Sequence, residues 1–185
     1  MPRQSPSQTV GPFFHYGLIF GGENILVNEQ TTGQWIALTG HVFDGDGLPV
    51  PDALIEIWQA DAQGFFNHPN DPNQAKSDLN FRGFGRSDTV AGGQFYFKTI
   101  KPGIIPGSHT PYINMYIFSR GMLIHAHTRL YFADEPGNAD DPVLNSVPAE
   151  RRATLIARQQ ETGDIPTYRF DIHLQGEAET VFFNP

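Results

Sequence analysis

The sequence predicts a mainly β fold, an antiparallel β-sandwich with long loops. Apolar and polar residues alternate with a period of two in several short segments from residue 34 onward, as they do in half-buried strands. The 185 residues include 19 glycines and 15 prolines, which favour turns and leave little room for long helices. With 39% hydrophobic residues, the chain is long enough to bury one core without disulfide or metal staples.

Six segments carry the strand pattern. In chain order they are residues 34–43, 53–60, 93–100, 111–119, 122–132 and 167–176. The last is the clearest, because its four apolar residues alternate strictly with polar ones. These four are Tyr168, Phe170, Ile172 and Leu174. Short strands of this kind, separated by turn residues such as DGDG at 44–47, are typical of a sandwich or barrel.

The remaining segments predict one short helix and two irregular regions. The helix is expected at about residues 147–160, with Ser146 as its N-cap and Pro148 in its first turn. Residues 61–86 are rich in Asn, Asp, Gly and Pro, and residues 1–33 show no sustained periodicity. We therefore expect an N-terminal arm and irregular segment over 1–33, followed by a single domain over 34–185. Long irregular segments in a compact domain are usually functional or bind a partner.

Charge and composition exclude several classes of function. Twelve basic against 20 acidic residues give a net charge of −8, which argues against nucleic acid or an anionic membrane as partner. The absence of cysteine excludes disulfides, thiolate nucleophiles and cysteine-ligated metals. No apolar run approaches the roughly 20 residues that span a bilayer, and no signal-peptide pattern begins the chain, so a cytoplasmic protein is expected.

His125 and His127 form a candidate metal pair. On a strand, both imidazoles and the Arg129 side chain point to the same side. Two histidines can bind a metal, but spacing specifies no third ligand, and the nearby guanidinium opposes a cation. A polar sheet face or a subunit contact is the favoured alternative.

Three further features have weaker signals. Ser7, near His15, lacks the G-x-S-x-G context of a hydrolase nucleophile. Arg120 ends a predicted strand and could hold a carboxylate, although spacing alone favours a solvated hairpin tip. Residues 6–14 (PSQTVGPFF) predict an extended apolar arm that docks on another chain or back on the sandwich.

Several motifs together carry a specific resemblance. They are PSQTVGPFF (6–14), IEIWQADAQG (55–64), FGRSDT (84–89), TIKPG (99–103), HTRLYFADE (127–135), DPVLN (141–145) and YRFDIHLQGEAETVFF (168–183). In this order and spacing they resemble the intradiol ring-cleavage dioxygenases over residues 5–183, except near 20–33 and 67–80. The resemblance implies a β-sandwich fold and an oxidoreductase that uses non-haem Fe(III) and O₂ to cleave a catechol ring between its two hydroxylated carbons.

The resemblance also implies that this chain is not the iron-bearing one. Members of the family that act on protocatechuate consist of two homologous chains, of which the β subunit holds Fe(III) through two tyrosines and two histidines. The matching positions here are Phe66, Ile105, Tyr112 and Asn114. The resemblance therefore implies no metal and no catalytic residue in this chain, and a homologous catalytic β subunit as its partner in an (αβ)n oligomer. The His125–His127 pair lies on a strand where the family places no ligands.

The resemblance further implies substrate-binding residues in this chain. Thr9, Gly11, Pro12 and Phe13 match the arm that lines the substrate cleft near the iron of the partner. Arg120 matches an arginine that reaches toward the substrate carboxylate, which reverses the hairpin-tip interpretation. Two alternatives stay open: a metal-free β-sandwich that serves as a binding or scaffolding module, and an autonomous metalloenzyme that uses His125 and His127.

Overall fold

The computed structural model describes residue 9, residues 13–161 and residues 163–184. In chain order these residues form α1 (Phe13–Leu18), β1 (Trp35–Phe43), β2 (Leu54–Trp58), β3 (Phe84–Asp88), β4 (Gln94–Ile100), β5 (Tyr112–Phe118), β6 (Ala126–Phe132), α2 (Pro142–Ser146), β7 (Ile156–Gln160), β8 (Thr167–Arg169) and β9 (Ile172–His173). Short 3-10 helices span Gln74–Lys76, Pro136–Ala139 and Ala149–Leu155. No helix in this part of the chain is long and apolar enough to cross a membrane.

The strands form one curled, mixed sheet. Its order is β3-β2-β5-β6-β7-β8-β1-β4, and β9 also pairs with β1. The predicted mainly β fold is confirmed, although the sheet is mixed and not simply antiparallel as in the predicted sandwich. β7 pairs parallel to β6, and β8 and β9 pair parallel to β1. These partners are separated by long connections, which permit parallel pairing where a tight hairpin would not.

A closing segment, residues 22–26, lies between the two end strands of the sheet. The backbone N–H of Arg86 in β3 donates to the Glu23 carbonyl at 3.1 Å, and Lys98 in β4 donates to Asn24 at 2.9 Å. Leu26 donates in turn to the Lys98 carbonyl at 2.8 Å and buries its side chain in the core. Part of the irregular N-terminal region thus covers strand edges that would otherwise expose unpaired backbone groups.

The core follows the period-two alternation that the sequence shows. In β5 every second residue is buried, and the same holds for most of β4. The residues of the core include Leu26, Ile36, Leu38, Ile55, Ile57, Phe95, Phe97, Ile113, Met115, Ile117, Leu130, Phe132, Tyr168, Phe170 and Ile172. Each such side chain contributes about 1.5–3 kcal/mol of stability when it is fully buried. This core therefore fixes the positions of the strands, and with them the elements of the site described below.

The short helix predicted at about 147–160 is present only as a 3-10 helix over residues 149–155, and its predicted N-cap and its second half are wrong. Asp141, not Ser146, caps a helix there: its carboxylate accepts a hydrogen bond from the Leu144 backbone N–H at 2.8 Å. Pro142 follows in the first turn, and Ser146 ends this helix instead of starting one. Residues 149–155 then form a 3-10 helix, and residues 156–160 form β7, because ladder pairing with β6 and β8 outweighs their local helix propensity.

A charged cluster joins the end of β4 to the end of β6. Lys101 Nζ lies 2.7 Å from Asp134 Oδ2 and 2.5 Å from Glu135 Oε1. The Tyr168 hydroxyl donates to the same Asp134 oxygen at 3.0 Å. Burial alone would raise the pKa of the Asp134 carboxyl, but the hydrogen bonds from Lys101 and Tyr168 hold that pKa below its ordinary value.

Lys101→Met is expected to lower the free energy of unfolding by about 1–3 kcal/mol at pH 7, since it removes two charge-assisted hydrogen bonds of half-exposed carboxylates. A depressed carboxyl pKa contributes stability above its unfolded value, and this contribution is lost as the pH falls through the folded value. The difference in the free energy of unfolding between wild type and Lys101→Met, measured by urea titration, should therefore become smaller below about pH 4. Lys98→Met is the control, because Lys98 lies over the Trp35 ring. If Lys101→Met destabilises the protein by the same amount at every pH, Lys101 does not act through these carboxylates.

Candidate functional site

A cleft of about 720 Å³ opens at the end of the sheet beside the β5–β6 connection. Its walls come from the turn before β2, from the hairpin after β5 and from the C-terminal segment. The lining residues are Asp44, Gly45, Pro49, Val50, Pro51, Asp52, Ser119, Arg120, Gly121, Met122, Ala126, Leu174, Gln175 and Phe182. The cleft is therefore lined by loops that meet only in the folded chain.

Arg120 is the charged group of this cleft that the sequence predicted. Its guanidinium forms an ion pair with the Asp52 carboxylate. The Asp52 side chain is 16% exposed and the Arg120 side chain 60%, so the acid is fixed in the wall while the cation extends into solvent. A guanidinium carries five N–H donors, which leaves Arg120 able to bind a second carboxylate beside Asp52.

Asp52 is a residue that sequence reasoning missed. β2 and β5 are antiparallel, and Leu54 lies opposite Phe118. Two residues further along this register, Asp52 faces Arg120. The available signal was the pairing of the strands 53–60 and 111–119, which would have brought an acid and a base together at the same edge of the sheet.

Thr9 is the part of the predicted arm that the structure places at the cleft. Its hydroxyl oxygen accepts a hydrogen bond from the Gly121 backbone N–H at 3.0 Å. Thr9 therefore contacts the hairpin that carries Arg120, although 112 positions separate Thr9 from Gly121. Of the other predicted substrate-binding residues, Gly11 and Pro12 lie outside the described residues, as does Ser7. Phe13 begins α1, and its side chain is outside the described part of the chain.

Two of the four positions matched to iron ligands lie on loops that pack against each other. Phe66 stacks on Trp58 of β2, with ring centroids 5.8 Å apart and an interplanar angle of 4°. Ile105 is half-buried on the loop after β4. The loops meet where Gly64, at φ +87°, faces the Ile104 carbonyl; a Cβ at Gly64 would lie 2.1 Å from that oxygen. The glycine thus allows the close approach of the two loops.

The other two positions lie side by side on β5. Tyr112 and Asn114 are half-buried on the outer face of the sheet. The Arg129 guanidinium of β6 lies 4.2 Å from the centroid of the Tyr112 ring. The Asn114 carbonyl oxygen is 3.4 Å from His127 Nε2. A cation and an imidazole therefore occupy the surroundings of both side chains.

Comparison with known proteins identifies the family. A family model described as Dioxygenase matches residues 11–176. The chain belongs to this dioxygenase family. The resemblance to intradiol ring-cleavage dioxygenases expected from the motifs is thereby confirmed.

Relatives within the dioxygenase family include both types of chain of one enzyme. The chain is 46% identical to the protocatechuate 3,4-dioxygenase alpha chain of Burkholderia cepacia, over 98% of each chain. It is 36% identical to the beta chain from the same organism, over 85% of this chain and 72% of that one. A solved dioxygenase domain from Streptomyces sp. SirexAA-E, part of a fusion with a carbohydrate-binding protein, has 26% identity and a TM-score of 0.65, over 93% and 99% of the chains.

The dioxygenase family implies Fe(III), and the side chains at the four positions that the resemblance matches to iron ligands do not fit it. Phenylalanine and isoleucine side chains at positions 66 and 105 carry no donor atom. Position 114 offers a neutral amide, and the phenol ring of Tyr112 is covered by a guanidinium, whose charge opposes a ferric ion. Within residues 13–161 and 163–184, together with residue 9, no group of three or more His, Asp or Glu could hold a metal ion.

The histidine pair of this dioxygenase chain packs against aromatic rings. Both His125 and His127 contact the Tyr116 ring, with centroid distances of 5.4 and 4.8 Å. His127 also contacts Phe183 at 6.3 Å. Burial lowers the pKa of His127, and the nearby Arg129 and His125 lower it further. The pair therefore packs against aromatic rings, and in the described part of the chain it belongs to no group of three or more His, Asp or Glu that could hold a metal ion.

Proposed function

We propose that this chain is the non-metal-binding α subunit of a protocatechuate 3,4-dioxygenase. It completes the substrate pocket of a homologous β subunit that holds Fe(III). The complex opens the protocatechuate ring between its two hydroxyls with O₂, which yields 3-carboxy-cis,cis-muconate. The observation that carries the proposal is the 46% identity to an alpha chain of such an enzyme over 98% of both chains. In this proposal, residues 1–33 act as an arm and residues 34–185 as the sandwich domain.

The residues of the cleft have defined tasks in the proposed complex. Arg120 binds the carboxylate of the substrate, because a guanidinium offsets the desolvation of an anion through charge-assisted hydrogen bonds. Thr9, Gly11, Pro12 and Phe13 line the pocket from the arm. The hydrogen bond between Thr9 and the Gly121 N–H supports this placement, since it holds the arm beside Arg120.

The side chains of this chain support the proposal that the partner subunit, and not this one, binds the iron. The positions that match iron ligands carry two hydrocarbon side chains, one amide and one tyrosine beside Arg129. Similarity to a beta chain as well as an alpha chain supports a homologous partner. In the complex this chain binds and orients the acidic substrate and limits the access of water, while the partner's iron supplies the redox chemistry.

Co-expression with a homologous chain that carries two tyrosine and two histidine ligands tests the proposal. We expect the two chains to co-purify with one iron per pair and a visible tyrosinate-to-iron band. The isolated 185-residue chain should be colourless and free of stoichiometric iron. Iron bound by this chain alone would overturn the proposal in favour of a metal site on His125 and His127. Failure of the chains to co-purify would instead favour a scaffolding module.

A further inference from the structure

A second groove, of about 340 Å³, lies on the outer face of the sheet, lined by β7, β8 and β9. The residues that line it differ from those of the cleft around Arg120. Alternate residues of β7, among them Arg158, line it together with Arg169 at the end of β8 and Thr180. Its volume falls in the lower range of small-molecule pockets, about 300–1,000 Å³.

Two arginines face each other across this groove. β7 and β8 are antiparallel, and Arg158 lies directly opposite Arg169 in their register. Like charges at directly opposed positions of a sheet destabilise it. In a chain with a net charge of −8, such a pair is not part of a generally basic surface. The arrangement therefore suggests that an anion compensates the two guanidiniums.

The groove has little negative charge of its own. Asp171 is the acidic residue among those that line it. One of its oxygens accepts from Arg169 Nε at 2.9 Å, and the other accepts from the His41 backbone N–H at 3.0 Å. Among the described residues, no ion pair includes Arg158. Arg158, which is exposed, thus has no ion-pair partner among these residues, whereas Arg169 pairs with Asp171.

Several hydrogen-bond donors line the groove. The Thr180 hydroxyl oxygen accepts from the His173 backbone N–H at 3.0 Å, and Thr180 is buried. Each guanidinium carries five donors and no acceptor, and Asp171 engages only one of those of Arg169. Planar guanidiniums match the oxygen spacing of phosphates and carboxylates.

We propose that this groove binds a small oxyanion, a free phosphate or carboxylate compound held between Arg158 and Arg169. The site does not depend on the function proposed for the cleft, because it uses other residues and other strands. A free small ligand fits the volume of this open groove and the two guanidiniums that line it. The class is an oxyanion with two or more negative charges, because such a charge compensates both arginines.

Calorimetric titration of the full-length chain tests the proposal. Inorganic phosphate and succinate are titrated separately at constant ionic strength, with sodium chloride as the balance, and thermal unfolding is followed in parallel. We expect saturable binding of at least one of them and a rise in Tm. Arg158→Gln should weaken binding at least tenfold, about 1.4 kcal/mol, and abolish the rise in Tm. The relative response to phosphate and succinate identifies which oxyanion the groove accepts.

Control variants separate a specific site from general electrostatics. Arg82→Gln removes the same charge from an exposed position elsewhere and should leave binding unchanged. Arg169→Gln should also weaken binding, but it breaks the contact with Asp171, so Arg158→Gln is the deciding variant. Absence of saturable binding, or equal affinity of wild type and Arg158→Gln, would overturn the proposal. Self-association of the chain that phosphate reverses would also overturn it, in favour of a carboxylate from another copy.

Discussion

Arg120→Ala is expected to raise the KM of the assembled complex for protocatechuate by about 30-fold or more, with normal iron content. The loss of a desolvated, charge-assisted pair costs about 2–5 kcal/mol, and its lower limit corresponds to this factor. The effect falls on KM because the guanidinium binds the substrate carboxylate, which is remote from the bond that breaks. Steady-state kinetics with protocatechuate, together with iron analysis of the same preparation, provide the measurement.

Three variants make this result specific. Arg120→Lys keeps the charge but loses the planar fork, so its KM should lie between those of wild type and Arg120→Ala. Asp52→Asn keeps the shape of the ion-pair partner and removes its charge, which tests whether Asp52 positions the guanidinium. Arg82→Ala is the control for loss of an exposed cation. If KM and kcat of Arg120→Ala equal those of wild type, Arg120 is not part of the substrate site.

Gly64→Ala is expected to lower the free energy of unfolding by about 2–4 kcal/mol. Two costs add: the backbone stays at φ +87°, which L side chains rarely adopt, and the new Cβ would lie 2.1 Å from the Ile104 carbonyl oxygen. The clash is with backbone, so no side-chain rotation can relieve it. The loops that carry Phe66 and Ile105 must then separate. Urea unfolding of the full-length chain measures the difference.

Gly107→Ala is the matched control for this substitution. Gly107 has φ +89°, but a Cβ there would meet nothing within 4 Å. This variant should therefore cost only the backbone term, about 1 kcal/mol. The excess of Gly64→Ala over Gly107→Ala isolates the contact between the loops. Equal destabilisation by both variants would show that the approach of Gly64 to Ile104 does not constrain these loops.

The alternation of apolar residues predicted most of the strands because burial on one side of a sheet imposes a period of two. It failed where local pattern and tertiary pairing disagree. Residues 156–160 have the composition of a helix, yet they form β7 because the neighbouring strands supply ladder partners. β3, at Phe84–Asp88, lies at the end of a stretch that composition marks as irregular.

The candidate site was predictable to the extent that its residues carry chemistry on their own. For Arg120, spacing alone favoured a solvated hairpin tip, and the family resemblance pointed to a substrate carboxylate instead. The arm around Thr9 stood out as an apolar segment expected to dock on another surface. Asp52 and the Gly121 N–H could not be assigned to them from spacing, since 68 and 112 positions separate the contacting residues. His125 and His127 were prominent in the sequence, but their neighbours are aromatic rings.

The sequence by itself determined the fold class, the family and the hydrocarbon side chains at positions 66 and 105, because residue type and alternation are local properties. Only the tertiary structure decided the parallel pairings, the closure of the sheet by residues 22–26, the contact of Arg120 with Asp52 and the opposition of Arg158 to Arg169. Each of these joins segments far apart in the chain. Their proximity depends on the register and curvature of the whole sheet, which the burial of one shared core imposes.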